Sequence, residues 1–160
     1  MSQFFDDSLY YTGPDLELAM IRDAEEFLGY KLPQAYIDLL FERNGGSPRR
    51  CCCPTDFPTS WADDHFEISG LLGIGGSWGI NSSRGGGSPY LISEWGYPDI
   101  GIVICDTPSA GHDTVMLDYS SGPDEEPSVT YIDEDRIPRK VADSFGAFIA
   151  RLVDCESLDS

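Results

Sequence analysis

Among the residues able to do chemistry, the two histidines, His65 and His112, come first. His112-Asp113 has the composition of an acid–base pair, and a hydrolase using His112 with nearby carboxylates is one reading of it. On a strand, however, adjacent side chains point to opposite faces and are poorly placed to work together, whereas in a turn the geometry is open. A serine triad would need a nucleophile elbow, and no G-x-S-x-G occurs. The glycine-rich stretch Gly70-Leu71-Leu72-Gly73-Ile74-Gly75-Gly76 lacks the Lys-Ser or Lys-Thr with which a phosphate loop neutralises its ligand. The setting of a dinucleotide fingerprint is missing too, because Ser-Trp-Gly and more loop follow instead of a helix. Asp133-Glu134-Asp135 offers oxygen ligands without the spacing of a calcium loop, and reads as a solvated turn. No catalytic residue, cofactor or metal site is expected, and the chain is read as a binder rather than an enzyme.

The cysteines point the same way. There are five, and Cys51-Cys52-Cys53 are consecutive. Metal binding and redox sensing are the functional options for such a triplet. Zinc sites usually show spaced pairs such as C-x-x-C, and none is present. Neighbouring cysteines rarely form structural disulfides, and Cys105 and Cys155 stand alone in apolar surroundings. The expectation is a loop with incidental thiols in a reducing compartment.

Charge is more informative. The 160 residues carry a net charge of −18. That excludes generic nucleic-acid binding and disfavours anionic membranes, since both would repel the chain. A basic protein partner is favoured, with plain solubility as the alternative. No Lys or Arg stands between Arg84 and Arg136, whereas the same stretch holds acids from Glu94 to Asp135. Trp95-Gly96-Tyr97-Pro98 reads either as a rigid packed corner or as a binding ridge, since Trp and Tyr are enriched at interface hot spots.

The elements that must carry these residues follow from hydrophobic periodicity. Apolar residues make up 41%, enough for one core. No apolar run approaches the ~20 residues a membrane crossing needs, and the N-terminus lacks the charge and apolar stretch of a secretory signal; the expected location is cytoplasmic. Leu16, Met20, Ile21, Ala24, Phe27 and Leu28 lie on one helical arc, with Asp15 placed to cap the helix and Gly29 to end it. Pro33 opens a second helix with the stripe Tyr36, Leu39 and Leu40, stopped by Asn44-Gly45-Gly46. Residues 47–62 read as irregular loop. Strand character appears at Phe66–Ile74, and residues 75–89 read as flexible loop. A short helix is expected at Tyr90–Trp95. Strands are expected at Ile100–Cys105, Thr114–Tyr119 and Ser128–Ile132, separated by turn residues, as in an antiparallel meander. A last helix is expected over Ala142–Asp154, with Asp143 near its cap. The order predicts a single α+β domain, with helices packed on a twisted, mainly antiparallel sheet. Its bounds are 15–154, after a partly ordered lead-in over 1–14 and before a tail over 155–160.

Five stretches stand in order along the chain. The first runs Ala24-Glu25-x-x-Leu28-Gly29-Tyr30-Lys31-Leu32-Pro33-x-x-Tyr36-x-x-Leu39-Leu40-x-x-x-Asn44-Gly45-Gly46. The second is Glu94-Trp95-Gly96-Tyr97-Pro98-x-Ile100-Gly101, and the third runs from Asp106-Thr107-Pro108 through His112-Asp113 to Leu117-Asp118-Tyr119. The last two are Glu126-Pro127-Ser128-Val129 with Tyr131-Ile132-Asp133, and Ser144-Phe145-x-x-Phe148-Ile149-x-x-Leu152. Together they resemble the SUKH superfamily, which includes fungal cell-wall-assembly regulators of the Smi/Knr type and many bacterial immunity proteins. The loops around Arg49–Cys53 and 75–87 depart from the simplest pattern. The resemblance implies a SUKH-like fold and, for many bacterial members, an antidote that binds a cognate toxin, often a nuclease. The expected function is an immunity protein that neutralises a basic, possibly nuclease-type toxin, without touching nucleic acid itself. The alternative is a regulatory protein-interaction module of the cell-wall-regulator type. The expected contact residues are Trp95 and Tyr97 as anchors, with Asp99, Asp106, Asp113 and Asp118 steering and pairing.

Overall fold

A computed structural model describes residues 4–59, 62–76, 78–82, 87–108 and 112–158. Four helices and two antiparallel sheets form one α+β unit. Helix α1 (Leu18–Leu28) buries Ile21 and Ala24 and ends at Gly29, whose φ of 82° is the left-handed conformation expected there. Two features of this helix differ from the periodicity reading. Its N-cap is Glu17, so Asp15 lies outside it, and Phe27 is exposed rather than on the buried arc. Helix α2 (Gln34–Glu42) follows Pro33 and buries Tyr36, Ile37, Leu39 and Leu40.

The Asn44-Gly45-Gly46 corner does more than stop α2. The Asn44 amide donates to the carbonyls of Pro14 and Ile74, both at 2.7 Å, and its side-chain oxygen accepts from the Ile74 N–H at 2.8 Å. Gly45 has φ 95°, and a Cβ there would meet the Tyr11 carbonyl oxygen at 2.7 Å. The corner thus ties together the N-terminal segment, α2 and the chain leaving the third strand. The N-terminal segment is itself packed in, with Phe5 and Tyr11 buried in the core.

The small sheet pairs β1 (Cys52–Pro54) with β2 (His65–Glu67). Strand β1 lies within the stretch read as irregular loop. The main sheet has the order β3 (Gly70–Leu71), β4 (Gly101–Asp106), β5 (Thr114–Asp118), β6 (Ser128–Ile132) and β7 (Pro138–Ala142), all antiparallel. Strands β4, β5 and β6 are buried along nearly their whole length, so both faces of the sheet are covered. Phe66 of the small sheet stacks on Tyr131 at 4.5 Å. Tyr36 meets Phe145 edge-on and donates to the Leu72 carbonyl.

Helix α3 (Ser88–Trp95) packs on β4 and ends at Gly96, again left-handed. The Ser88 hydroxyl accepts the Val103 N–H at 2.8 Å, fixing helix to strand. Helix α4 (Phe145–Arg151) is shorter than expected, because β7 takes the chain up to Ala142. Its cap is Ser144, whose hydroxyl accepts from the Ala147 N–H, rather than Asp143. Phe145, Phe148 and Leu152 enter the core as expected. The outer strand β7 begins with Pro138 and leaves Arg139 and Lys140 exposed. Parts of the expected glycine-rich loop (77 and 83–86) and of the β4–β5 turn (109–111) lie outside the described residues.

The cysteine expectation is corrected. Cys52 and Cys155 form a disulfide across a separation of 103 residues. Adjacency did not prevent it, because strand alternation separates Cys52 from Cys53. Cys53 points into the core, whereas Cys52 lies beside the returning C-terminal chain, which bridges it at Val153.

Candidate interaction surface

Antiparallel topology puts alternate turns at opposite ends of the sheet. One end carries the β4–β5 and β6–β7 turns, together with the C-terminus of α3. The other carries the β5–β6 turn and the entry to β4. This divides the six expected contact residues. Trp95, Tyr97, Asp106 and Asp113 lie at the first end. Asp118, whose Cα partner is Gly101, and Asp99, whose charge reaches Tyr30, lie at the second. They do not form one patch.

The first end is organised by Arg136, a residue that sequence reasoning passed over. Its guanidinium donates to the carbonyls of Trp95 at 3.0 Å, His112 at 2.8 Å and Asp133 at 3.2 Å. It also sits over the Tyr97 ring, 4.7 Å from the centroid. One side chain therefore clamps α3 and both turns. Among the described residues it is the sole non-glycine with positive φ, at 64°. A run of turn residues, Asp133-Glu134-Asp135-Arg136, gave no sequence signal of this except that Arg136 ends the long stretch without cations.

Beneath the clamp, Asp113 is buried. Its carboxylate accepts the Thr107 hydroxyl at 2.6 Å and the Tyr131 hydroxyl at 2.5 Å. This carboxylate braces the β4–β5 turn against β6 and is not presented at the surface. Tyr97 is also buried, and its hydroxyl reaches the Asp113 carbonyl at 3.5 Å. Burial pushes that hydroxyl up to about 12, against the opposing pull of Arg136. Asp106, half-buried, accepts the Tyr11 hydroxyl at 2.7 Å, and burial, then that bond, raises the Tyr11 hydroxyl well above its ordinary value. Asp133 accepts the N–H groups of Asp135 and Ile137 and pairs with Arg139 at 3.7 Å.

What this end offers to solvent is different from what holds it together. Trp95 is 41% exposed and Ile137 is 46% exposed, and they flank the clamp. Glu94, Glu134 and Asp135 are exposed around them. The arrangement is an apolar spot flanked by these carboxylates, with the exposed Arg139 and Lys140 following on β7, on a support fixed by buried hydrogen bonds. It suits binding a surface that carries both apolar and cationic groups. His112 is exposed beside a buried Asp113 whose carboxylate faces Thr107 and Tyr131, so these neighbours do not share a reaction site.

At the second end, Asp118 accepts from the Ser120 N–H and hydroxyl, and Asp99 is exposed. Tyr30 stacks on Tyr119, whose hydroxyl donates to the Lys31 carbonyl at 2.6 Å. Asp124, Glu125 and Glu126 extend this pole, so acids mark both ends of the sheet.

Among the described residues, no helix is long and apolar enough to cross a membrane. Comparison with curated proteins finds no match, and neither does comparison with solved structures. The family model described as SMI1 / KNR4 family (SUKH-1) matches residues 16–151. That span takes in the helical corner, the sheet, the Arg136 clamp and α4; the chain belongs to the SMI1/KNR4 family, SUKH-1.

Proposed function

We propose that this protein is a cytoplasmic immunity protein that binds and neutralises a basic, nuclease-type toxin, with no chemistry of its own. The observation that carries this reading is the Trp95–Ile137 spot with its flanking carboxylates, on a chain of net charge −18. Trp95 is the anchor. Asp106 and the exposed acids Glu94, Glu134 and Asp135 supply steering charge, which speeds encounter with a cationic active site. Tyr97 and Asp113 contribute from below by holding the turns in place. Asp99 and Asp118 belong to the opposite pole and serve long-range attraction unless the partner spans the sheet.

The test is co-expression with a toxin-like open reading frame adjacent to this gene, scoring survival, followed by association kinetics of the purified pair at low and high salt. Trp95→Ala should raise the dissociation rate. The double reversal Glu134→Lys with Asp135→Lys should slow association and flatten its salt dependence. The reversals Asp99→Lys and Asp118→Lys report on the other pole. A larger effect there would move the contact surface to that end. No rescue and no complex would leave the regulatory interaction module as the reading, with the acidity serving solubility.

A further inference from the structure

Three cysteine sulfurs and one carboxylate converge on the small sheet, away from the surface described above. The β1–β2 register sets Cys52 opposite Glu67, which puts both side chains on one side of the ribbon. Val153 bridges Cys52 through two backbone hydrogen bonds and delivers Cys155 to the same spot. Cys51 is fixed by its carbonyl, which accepts the Ile68 N–H at 2.8 Å. The three sulfurs and the Glu67 carboxylate all lie within 4.8 Å of one another. We propose that, with the Cys52–Cys155 bond reduced, Cys51, Cys52, Cys155 and Glu67 form a tetrahedral site for a thiophilic divalent cation, of which zinc is the type.

The distances support the geometry. Zinc–sulfur bonds of about 2.3 Å and zinc–oxygen bonds of about 2.0–2.2 Å give tetrahedral sulfur–oxygen edges of roughly 3.5 Å and sulfur–sulfur edges of roughly 3.8 Å. The nearer Glu67 oxygen, Oε1, lies 3.6 Å from the Cys51 sulfur and 3.5 Å from the Cys155 sulfur. The Cys51 and Cys155 sulfurs are 3.1 Å apart. On reduction the Cys52 and Cys155 sulfurs, bonded to each other in the disulfide, have to open to roughly 3.8 Å, and the other ligand atoms, all within 4.8 Å of one another, have to move to the corresponding edges. In the disulfide-bonded state Glu67 Oε1 accepts the Cys51 thiol proton, and its contact with the Cys155 sulfur carries no hydrogen bond, because a disulfide sulfur has no proton to donate.

The step balances simply. A dithiol, or a trialkylphosphine in vitro, delivers two electrons, and two protons complete the conversion of the disulfide to two thiols. Zinc then displaces the three thiol protons and takes the carboxylate as its fourth ligand. The ion replaces the covalent staple between β1 and the C-terminal segment, so the same chain is cross-linked in oxidising and in reducing surroundings. The inference is independent of any toxin partner.

Full-length protein, reduced with a trialkylphosphine under argon and freed of metal, is titrated with zinc against a chromophoric chelator, and with cobalt by absorption. The expected result is one ion per chain, with thiolate-to-cobalt charge transfer and the visible bands of a tetrahedral site. The disulfide-bonded protein should bind far more weakly. Cys51→Ser should weaken zinc binding by more than the roughly 10–100-fold that loss of an outer supporting partner costs. Cys51 takes no part in the disulfide, so this variant keeps the oxidised fold and stays readable even if Cys155→Ser fails to fold. Absence of one-to-one binding by the reduced protein, or an affinity untouched by Cys51→Ser, would overturn the proposal.

Discussion

Replacing Arg136 by Ala removes the clamp at the first end of the sheet. Three hydrogen bonds are lost, to the carbonyls of Trp95, His112 and Asp133, with the cation–π contact to Tyr97. The side chain is half-exposed, so each bond is taken at the lower end of its range, ~0.5 kcal/mol. The ring contact adds roughly 0.5–1 kcal/mol. The sum is about 2 kcal/mol. Arg136→Gly removes the same contacts but also relieves the left-handed backbone at φ 64°. That relief is roughly 1–2 kcal/mol, offset by about 0.5–1 kcal/mol of extra freedom in the unfolded chain. Glycine should therefore be the milder change, by ~1 kcal/mol. In urea denaturation, with a slope of about 2 kcal/mol per molar, Ala should lower the midpoint by ~1 M and Gly by ~0.5 M. Amide exchange should quicken at Ile137 and in the turn after Trp95. A midpoint for Arg136→Ala unchanged from the parent would refute the clamp. Gly proving worse than Ala would refute the strain argument alone.

Asn44→Ala should cost about 3 kcal/mol, since three hydrogen bonds of a buried amide are lost and the Ile74 N–H is left without its partner, and a urea midpoint checks it. Alkaline titration tests the buried Tyr97. Its hydroxyl is raised from 10.0 to about 12, so the folded state holds the proton more tightly than the unfolded chain does. Stability is complete below pH ~10 and falls between about 10 and 12, and Tyr97→Phe should make that fall shallower, with Tyr11 and Tyr119 sustaining the rest. A slope identical in Tyr97→Phe would show that this hydroxyl is not desolvated in the folded state.

Much of the fold was legible because its signals are local. Gly29 after an amphipathic run, Pro33 before a second, and turn residues between apolar runs each act over a few residues. Strand β6 was located to the residue, since Pro127 and Asp133 bound a short run in which the β-formers Val129, Thr130, Tyr131 and Ile132 are consecutive. Strand β7 was missed because Pro138-Arg139-Lys140 reads as a charged connector, and only its pairing with β6 makes it a strand. Its presence shortened α4 and moved the cap to Ser144. The candidate surface was harder to read. Trp95 was singled out by residue type and is exposed, whereas Tyr97 and Asp113, grouped with it, are both buried. Sequence distance does not reveal that Asp113 turns inward to Thr107 and Tyr131. Nor does it show that Asp99 and Asp118 sit a strand's length away. The cysteine cluster was illegible for a related reason, because its fourth member comes from a carboxylate on β2 and its third from the far end of the chain.

The outer strand β7 has a bearing on how any partner must approach. A sheet edge with free N–H and C=O groups invites a foreign strand to extend it, whether a ligand peptide or another copy of the chain. Here Pro138 lacks an N–H to offer, and Arg139 and Lys140 stand exposed along the same edge. A chain laid there would find no N–H at Pro138 and would meet the ion-paired side chains of Arg139, with Asp133, and Lys140, with Asp143, and the register of Thr130 and Val129 against β7 slips by a residue at its far end. Strand extension is disfavoured along this margin, and the sheet serves as a frame for its turns.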